Sequence, residues 1–289
     1  MKRPKDFSMS MLRFALFSLA LTACDAEDKA PASNGPPGFC SGEQLFGNPN
    51  ATTGLTAEQC TPTCTDCGAA PYLPPTFDDA ALAALSTLVN DTPSALLTAN
   101  PYAEGSADPI PEGSVCAVTP TTPGHYRLDT FASASAARAA GAEVSHTGVC
   151  GQCSSLNNLA VYIAQQDLTE PVRECGLLAM RENDAAAFDC LLALGFDEPC
   201  AQIWQFNTKH TQLKCLGVCL AALDDPYHLP GGALNPCLVC DEVQSGPVFK
   251  AVAGRTRRNS GLPNALCRPC AEVTPLAHAY AFESSDTGR

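Results

Sequence analysis

The stretch that decides the fold is 197–223, DEPCAQIWQFNTKHTQLKCLGVCLAAL. It opens with Asp197-Glu198-Pro199, a capping residue followed by an acidic residue and a proline, which predicts the start of a helix. Spacings of three and four residues then place one set of side chains on a single stripe, which predicts the longest helix of the chain. The stripe consists of Ile203, Phe206, His210, Leu213, Leu216 and Leu220.

The segments around this helix carry weaker helix signals separated by breakers. Residues 133–140 are rich in alanine and stop at Gly141, which suits the position after a helix end. Further helices are predicted over 78–98, from Ser154 or Ser155 to about 166, from 169, over 184–194 and over 237–252. Residues 40–77 and 99–125 are rich in proline, glycine and threonine, which predicts loops. We therefore expect a mainly α, disulfide-crosslinked domain over 40–289 with an irregular, loop-rich N-terminal lobe and a possible sub-boundary near 128.

The beginning of the chain carries a processing signal. Met1-Lys2-Arg3-Pro4-Lys5 is followed by an apolar run over 11–21 and by Leu21-Thr22-Ala23-Cys24. A basic segment, a short apolar segment and a small-residue site are the parts of an export signal. Leu-Thr-Ala-Cys resembles the lipobox of bacterial lipoproteins, in which the cysteine is acylated and becomes the N-terminus. The resemblance implies a signal peptide over 1–23, a lipid anchor (palmitate) on Cys24 and a tether over 24–39. It also implies a cell-envelope location facing the periplasm or the exterior, with the lipid anchor as the contact with the membrane.

The cysteine count is consistent with export. Of 17 cysteines, 16 remain when Cys24 is set aside, which is enough for eight disulfides in an oxidising compartment. Cysteines three or four apart share a helix face, so each pair can bond to a pair on a neighbouring segment. Two alternatives stay open: one C-x-x-C is a redox dithiol, or two of them bind zinc. The pairs are Cys60/Cys64, Cys64/Cys67, Cys150/Cys153, Cys215/Cys219, Cys237/Cys240 and Cys267/Cys270.

Charge limits the classes of partner. The net charge is −13, and removal of 1–23 takes away four cations and one carboxylate, which leaves −16. Such a chain repels nucleic acid and anionic lipid at long range. We expect no nucleic-acid partner, and we expect no cofactor and no bound metal.

The candidates for catalysis are Cys153, His146 and His210. Gly148-Val149-Cys150-Gly151-Gln152-Cys153 resembles the C-G-x-C element of papain-like cysteine proteases, which implies Cys153 as a nucleophile. His278 lies at about the interval at which that family places its histidine, and His146 is a nearer candidate base. His210 falls on the apolar stripe, where it is either a hydrogen-bonded core histidine or part of a polar pocket with Asn207 and Thr208.

The densest positive charge follows residue 249. Arginine presents paired donors that suit carboxylate, sulfate or phosphate groups, and the alternative is a solvated helix end with surface ion pairs. The predicted ligand-binding set is Lys250, Arg255, Arg257, Arg258 and Asn259, with Arg268 beyond it.

The sequence favours a membrane-anchored lipoprotein that binds a small anionic ligand or an acidic partner surface through this set. An enzyme, either a thiol-dependent hydrolase or an oxidoreductase using Cys153, is the first alternative. A structural envelope protein without a small-molecule site is the second.

Overall fold

The computed structural model describes residue 40 and residues 43–65, 67, 70–103 and 108–282. The predicted signal peptide, Cys24 and the tether lie outside these residues. The helices are α1 (Asp79–Thr87), α2 (Ala134–Ala139), α3 (Leu156–Ala164), α4 (Thr169–Arg181), α5 (Asp184–Ala193), α6 (Glu198–Ala221), α7 (Pro236–Gln244) and α8 (Gly246–Ala253). The strands are β1 (Leu45–Phe46), β2 (Cys60–Thr61), β3 (Val89–Asn90), β4 (Val115–Pro120), β5 (His125–Phe131), β6 (Glu143–Thr147) and β7 (Arg268–Pro269). Among the helices in these ranges, none combines the length and apolarity that a membrane span requires.

Helix starts follow local capping chemistry. The Asp197 carboxylate accepts from the Cys200 amide at the start of α6, and the Ser155 hydroxyl accepts from the Asn158 amide at the start of α3. Each side chain satisfies a backbone donor that the first helical turn leaves free. Both predicted starts are confirmed. They could be predicted from the sequence because a capping side chain contacts only residues within three positions of itself.

Two small sheets lie in parts of the chain for which the sequence predicted only helices and loops. Strands β3-β5-β4-β6 form one sheet and β2-β1-β7 the other. Much of 99–125 was expected to be loop, yet β4 lies there with Val115 to Val118 buried. It pairs antiparallel with β5, which follows it after four residues, and with β6, which lies further along the chain. Leu128, near the possible sub-boundary, lies inside β5. The described chain is therefore helix-rich and disulfide-crosslinked, with sheets that local patterns did not indicate.

Two predicted helices are shorter than expected. The segment 78–98 forms a helix only to Thr87, after which Val89 pairs with β5 as part of β3. The segment 237–252 divides into α7 and α8 at Ser245, because Pro247 lacks the amide that a continuous helix would need.

Eight disulfides join all 16 cysteines beyond Cys24. Two pairs of bonds form the predicted ladders: one ties α6 to α7, and the other ties the N-terminal lobe to the segment around β7. In none of the four C-x-x-C units do the two cysteines form a disulfide with each other. Each sulfur instead bonds to a cysteine of another segment, so none of these units is a redox dithiol or a zinc ligand pair, and both alternatives are wrong. The bonds are Cys40–Cys67, Cys60–Cys267, Cys64–Cys270, Cys116–Cys150, Cys153–Cys200, Cys175–Cys190, Cys215–Cys240 and Cys219–Cys237.

The stripe on α6 divides into two halves. Ile203 lies in the main core with α3 and α8, but Leu213 and Leu220 are 77% and 57% exposed. The predicted stripe is therefore packed in the core at Ile203 and exposed at Leu213 and Leu220. The neighbouring Leu216 and Leu220 line a cavity.

Candidate functional site

The cavity lies among the segment 162–169 and helices α4, α6, α7 and α8, and its volume is about 320 Å³. Its walls are largely apolar. They include Leu168, Val172, Leu177, Trp204, Leu238 and Phe249. Pockets that hold small organic molecules are typically of this size and composition, with a few polar groups that orient the ligand.

One edge of the cavity is an ion-pair cluster centred on Glu242, at the end of α7. Arg268 donates to Glu242 at 2.5 Å and Arg258 donates at 2.7 Å, while Lys250 reaches the same carboxylate at 3.2 Å. Arg258 also pairs with Glu272 at 2.6 Å. Three cations thus surround one carboxylate, and we call Glu242, Lys250, Arg258 and Arg268 the cationic edge.

Glu242 is held ionised by its neighbours. Burial alone would raise the pKa of this carboxyl, but Arg268, Arg258 and Lys250 together lower it to about 2. Of these cations, Arg258 and Arg268 are 21% and 14% exposed, so their guanidinium groups are largely withdrawn from solvent while lining the cavity. Partial burial strengthens their attraction for an anion relative to a fully hydrated surface charge.

The cavity lining as a whole is positive. It contains five cationic side chains, Arg173, Lys250, Arg257, Arg258 and Arg268, and three carboxyl groups, Asp167, Asp241 and Glu242. Burial raises the pKa of Asp241, whose carboxylate accepts a hydrogen bond from Thr211. Positive charge is thus concentrated here in a chain of net charge −13.

Arg257 belongs to the inner wall. It is 8% exposed and donates to the carbonyl oxygens of Tyr162, Gln165 and Pro263, and its guanidinium lies 5.3 Å from the centre of the Tyr162 ring. Burial lowers the pKa of Arg257 to about 10, which leaves it charged at neutral pH. Its charge contributes to the cavity, while its hydrogen bonds fix the turn after α3.

Arg255 requires a correction, because it is fully buried away from the cavity lining. Its guanidinium donates to the carbonyl oxygens of Ser145, Cys153 and Ser154 and to the hydroxyls of Ser145 and Ser260. All of these acceptors are uncharged. Arg255 therefore joins β6 to the start of α3 and is not available to a ligand.

The glycines beside Arg255 explain its direction. Gly254 and Gly261 have φ values of +73° and +67°, as expected for a bend at each end of this segment. A side chain at Gly254 would lie 2.6 Å from the Gly151 amide nitrogen. The bend thus brings the segment against the core.

Asn259 is also structural. Its side-chain amide donates to the carbonyl oxygens of Thr147 and Gly254 at 2.8 and 2.7 Å, and its carbonyl oxygen accepts from the Thr256 amide. Its assignment as a ligand-binding residue is corrected, since these contacts occupy both ends of the side chain.

The cysteine-nucleophile hypothesis is also corrected. Cys153 is fully buried and bonded to Cys200. His146 is fully buried as well, with Nε2 2.7 Å from the Ser154 hydroxyl. Burial and the Arg255 cation lower the pKa of His146 to about 3, so it is neutral and closed to solvent. His278, 4% exposed, contacts Ser260 and Tyr280 in the same region.

His210 lies in a hydrogen-bonded polar cluster beside the cavity. Its ring stacks on Tyr102 with centroids 4.4 Å apart, and Nδ1 lies 3.0 Å from the Ser245 hydroxyl. Tyr102 donates to Asn207 at 2.7 Å, so Asn207 joins the cluster, whereas Thr208 bonds to the Gln205 carbonyl oxygen. Because Ser245 is fully buried, we assign this cluster a structural role.

Sequence reasoning missed the centre of the site. Glu242 stands next to Asp241 in an acidic pair that resembles any exposed helix end. The only signal in the sequence was the clustering of Lys250, Arg258 and Arg268 after Glu242, and no helical spacing relates them, because the helix breaks at Ser245. Only the break at Ser245 lets α7 and α8 fold against each other and bring these charges together.

One comparison with known proteins concerns the same part of the chain. No curated protein and no solved structure matches this sequence. A model described as a family of unknown function (DUF8771) matches residues 184–276, which include α5 to α8 and the whole cationic edge.

Proposed function

We propose that this protein is an envelope lipoprotein, anchored through Cys24, whose cavity binds a small amphiphilic anion. The observation that carries the proposal is the cationic edge on an otherwise apolar cavity. An apolar body would displace water from the walls formed by Leu168, Val172 and Phe249, and the acidic group would contact Arg258 and Arg268.

The location of the cations supports an anion rather than a neutral ligand. A chain of net charge −13 repels anions at long range, so binding depends on donors concentrated at short range. Arginine supplies planar paired donors for a carboxylate or phosphate. Among the described residues Arg268 commits only Nη2 to Glu242, which leaves further donors for a second anion.

The volume supports a small ligand. A cavity of about 320 Å³ lies at the lower end of the range for small-molecule pockets. A medium-chain carboxylate combines an apolar chain of suitable size with one anionic end. We therefore choose octanoate as the probe, with octanol as the neutral analogue of the same length.

Trp204 provides a direct readout. It is the only tryptophan of the chain and it lines the cavity, so its fluorescence reports occupation. We expect octanoate to change this fluorescence saturably and to bind at least tenfold more tightly than octanol. This preference corresponds to the energy of charge-assisted hydrogen bonds.

The decisive variant is the double substitution Arg258→Gln/Arg268→Gln, measured by calorimetry. It should weaken octanoate binding by about ten- to a hundredfold and leave octanol binding unchanged. The matched control is Arg127→Gln/Arg138→Gln, which removes the same charge from two exposed arginines outside the cavity lining. Equal binding of octanoate by wild type and the Arg258/Arg268 variant would contradict the proposal.

Anchoring is tested separately. The support is the basic segment, the apolar run and Leu21-Thr22-Ala23-Cys24. Metabolic labelling with a radioactive fatty acid should mark the wild-type protein and not Cys24→Ala, which should keep its leader. Labelling of Cys24→Ala at the wild-type level would contradict the lipobox hypothesis without affecting the binding experiment.

A further inference from the structure

The cavity lining contains a carboxyl group without a cationic partner. Asp241 lines the cavity next to Glu242, is partly exposed, and forms no salt bridge with any cation in the described part of the chain. Glu242, by contrast, is surrounded by three cations. A carboxylate that is partly withdrawn from water is normally paired. The unpaired carboxyl of Asp241 therefore indicates a position for a positive group of the ligand.

Uncharged neighbours hold the Asp241 side chain in place. The Thr211 hydroxyl donates to Oδ1, and the Asn207 side chain is a second hydrogen-bond partner from the same helix, α6. Thr211 also lies 2.9 Å from the Ser245 hydroxyl, so the structural cluster around His210 orients the carboxyl. A carboxylate has about four acceptor positions, and two neutral donors leave others free. Asn207 and Thr211 line the same cavity, so a ligand in the cavity lies beside this carboxyl.

Asp241 lies within electrostatic range of the cationic edge. Burial raises the pKa of this carboxyl and Glu242 raises it further, whereas Arg268 lowers it. A positive group bound next to Asp241 would favour the ionised carboxylate, and partial burial would strengthen the resulting ion pair. The cavity thus presents guanidinium groups and an unpaired carboxyl close to each other.

We propose that the ligand carries an ammonium group beside its acidic group, and that Asp241 binds the ammonium while Arg258 and Arg268 bind the acidic group. An α-amino acid with an apolar side chain has this arrangement, since one carbon atom carries both charged groups. Its side chain would lie against Leu168 and Val172. The inference rests on the proposed function, whose acidic group it keeps, and narrows the ligand class from apolar acids in general to amino acids.

An added ammonium group is a demanding probe of this cavity. An ammonium that enters without a partner loses its hydration, and the five cationic side chains of the lining repel it. Amination should therefore weaken binding unless a carboxylate receives the new group. Tighter binding of the aminated ligand requires an acceptor, and Asp241 is the carboxyl of the lining best placed next to the cationic edge.

The test compares octanoate with each enantiomer of 2-aminooctanoate by calorimetry at neutral pH. At least one enantiomer should bind wild type about tenfold more tightly than octanoate, as expected for a charge-assisted hydrogen bond. Asp241→Asn keeps the size of the side chain and should reduce this advantage to below about threefold. The variant should bind octanoate at least as tightly as wild type does, which shows that its cavity is intact.

The matched control is Asp189→Asn, which makes the same change at an exposed aspartate of α5 outside the cavity lining and should keep the full advantage. Two outcomes would overturn the inference. If octanoate binds and neither enantiomer of 2-aminooctanoate binds more tightly, Asp241 is a structural carboxyl group only. If an enantiomer binds more tightly and Asp241→Asn keeps the full advantage, the ammonium contacts a different acceptor.

An amine without a carboxylate separates this inference from the anion proposal. In Arg258→Gln/Arg268→Gln, which lacks two of the repelling cations, octylamine should bind more tightly than octanol. Adding Asp241→Asn to this variant should remove the difference. This result would support the inference even if octanoate failed to bind wild type. Equal binding of octylamine and octanol by the double variant would contradict it even if octanoate bound wild type well.

Discussion

Arg255 and Arg258 are three residues apart, and they occupy opposite kinds of environment. Arg255 is fully buried and donates only to uncharged oxygens around β6 and the start of α3. Arg258 is 21% exposed, pairs with Glu242 and Glu272 and lines a cavity. The first region is a sealed polar core, and the second is an open cationic edge.

The difference shows what a cluster of arginines in a sequence can mean. The dense positive charge over 250–258 suggested one anion-binding face. The bend at Gly254 turns Arg255 inward, whereas the short 3-10 turn at Arg258–Ser260 directs Arg258 toward α7. A single segment thus supplies one structural cation and one cation suited to a ligand.

The largest effect is expected in the sealed core. Arg255→Met should lower the free energy of unfolding by roughly 3–5 kcal/mol, because several buried acceptors lose their only charged donor. Guanidinium denaturation with the disulfides intact measures this. Arg127→Met, at an arginine whose side chain is 53% exposed, should change it by about 0–1 kcal/mol. Equal losses of unfolding free energy in the two variants would show that Arg255 is no more important to stability than an exposed arginine.

The second effect is acid sensitivity of the sealed core. Burial and the Arg255 cation lower the pKa of His146 to about 3 and of His278 to about 4. An unfolded histidine titrates near 6.5, so between pH 6.5 and pH 4 the unfolded chain binds protons that the folded chain refuses. The free energy of unfolding should therefore decrease as the pH is lowered, by up to about 1.4 kcal/mol per pH unit for each histidine.

Denaturation series from pH 7 to pH 4.5 test this dependence. His146→Gln and His278→Gln should each flatten the pH slope. A wild-type stability that stays constant over this range would show that the two histidines are protonated in the folded protein.

The smallest effect on stability is expected at the cationic edge. The pKa of Glu242 is about 2, below its ordinary value of 4.5, so its stabilisation is complete above about pH 4.5 and is lost as pH falls to 2. Glu242→Gln should lower stability at pH 7 by roughly 1–3 kcal/mol, because partial exposure weakens the ion pairs. The variant should also bind octanoate more tightly, since Arg258 and Arg268 lose an internal competitor.

The stability and the octanoate affinity of Glu242→Gln, measured together, distinguish the two regions. A less stable Glu242→Gln protein with higher octanoate affinity is expected only if the edge is an anion site. A parallel loss of stability and affinity, as in Arg258→Gln/Arg268→Gln, would show that Glu242 orders the arginines for the ligand instead of competing with it.

Local features of the sequence determined much of the framework. Caps at Ser155 and Asp197 begin helices where the sequence placed them, because capping involves only residues within one turn. The even cysteine count and the spacing of Cys215 and Cys219 indicated closed pairs and a ladder, because helix geometry places such residues on one face.

Only the tertiary structure decided the rest. Val115 to Val118 form a strand because β5 and β6 supply their hydrogen bonds, and the prolines around them had suggested a loop. Whether Arg255 or Arg258 faces a ligand depends on which segments pack against each, and Glu242 enters the site only because the chain breaks at Ser245. Burial and charge pairing arise from contacts between residues far apart in the chain, which local spacing does not encode.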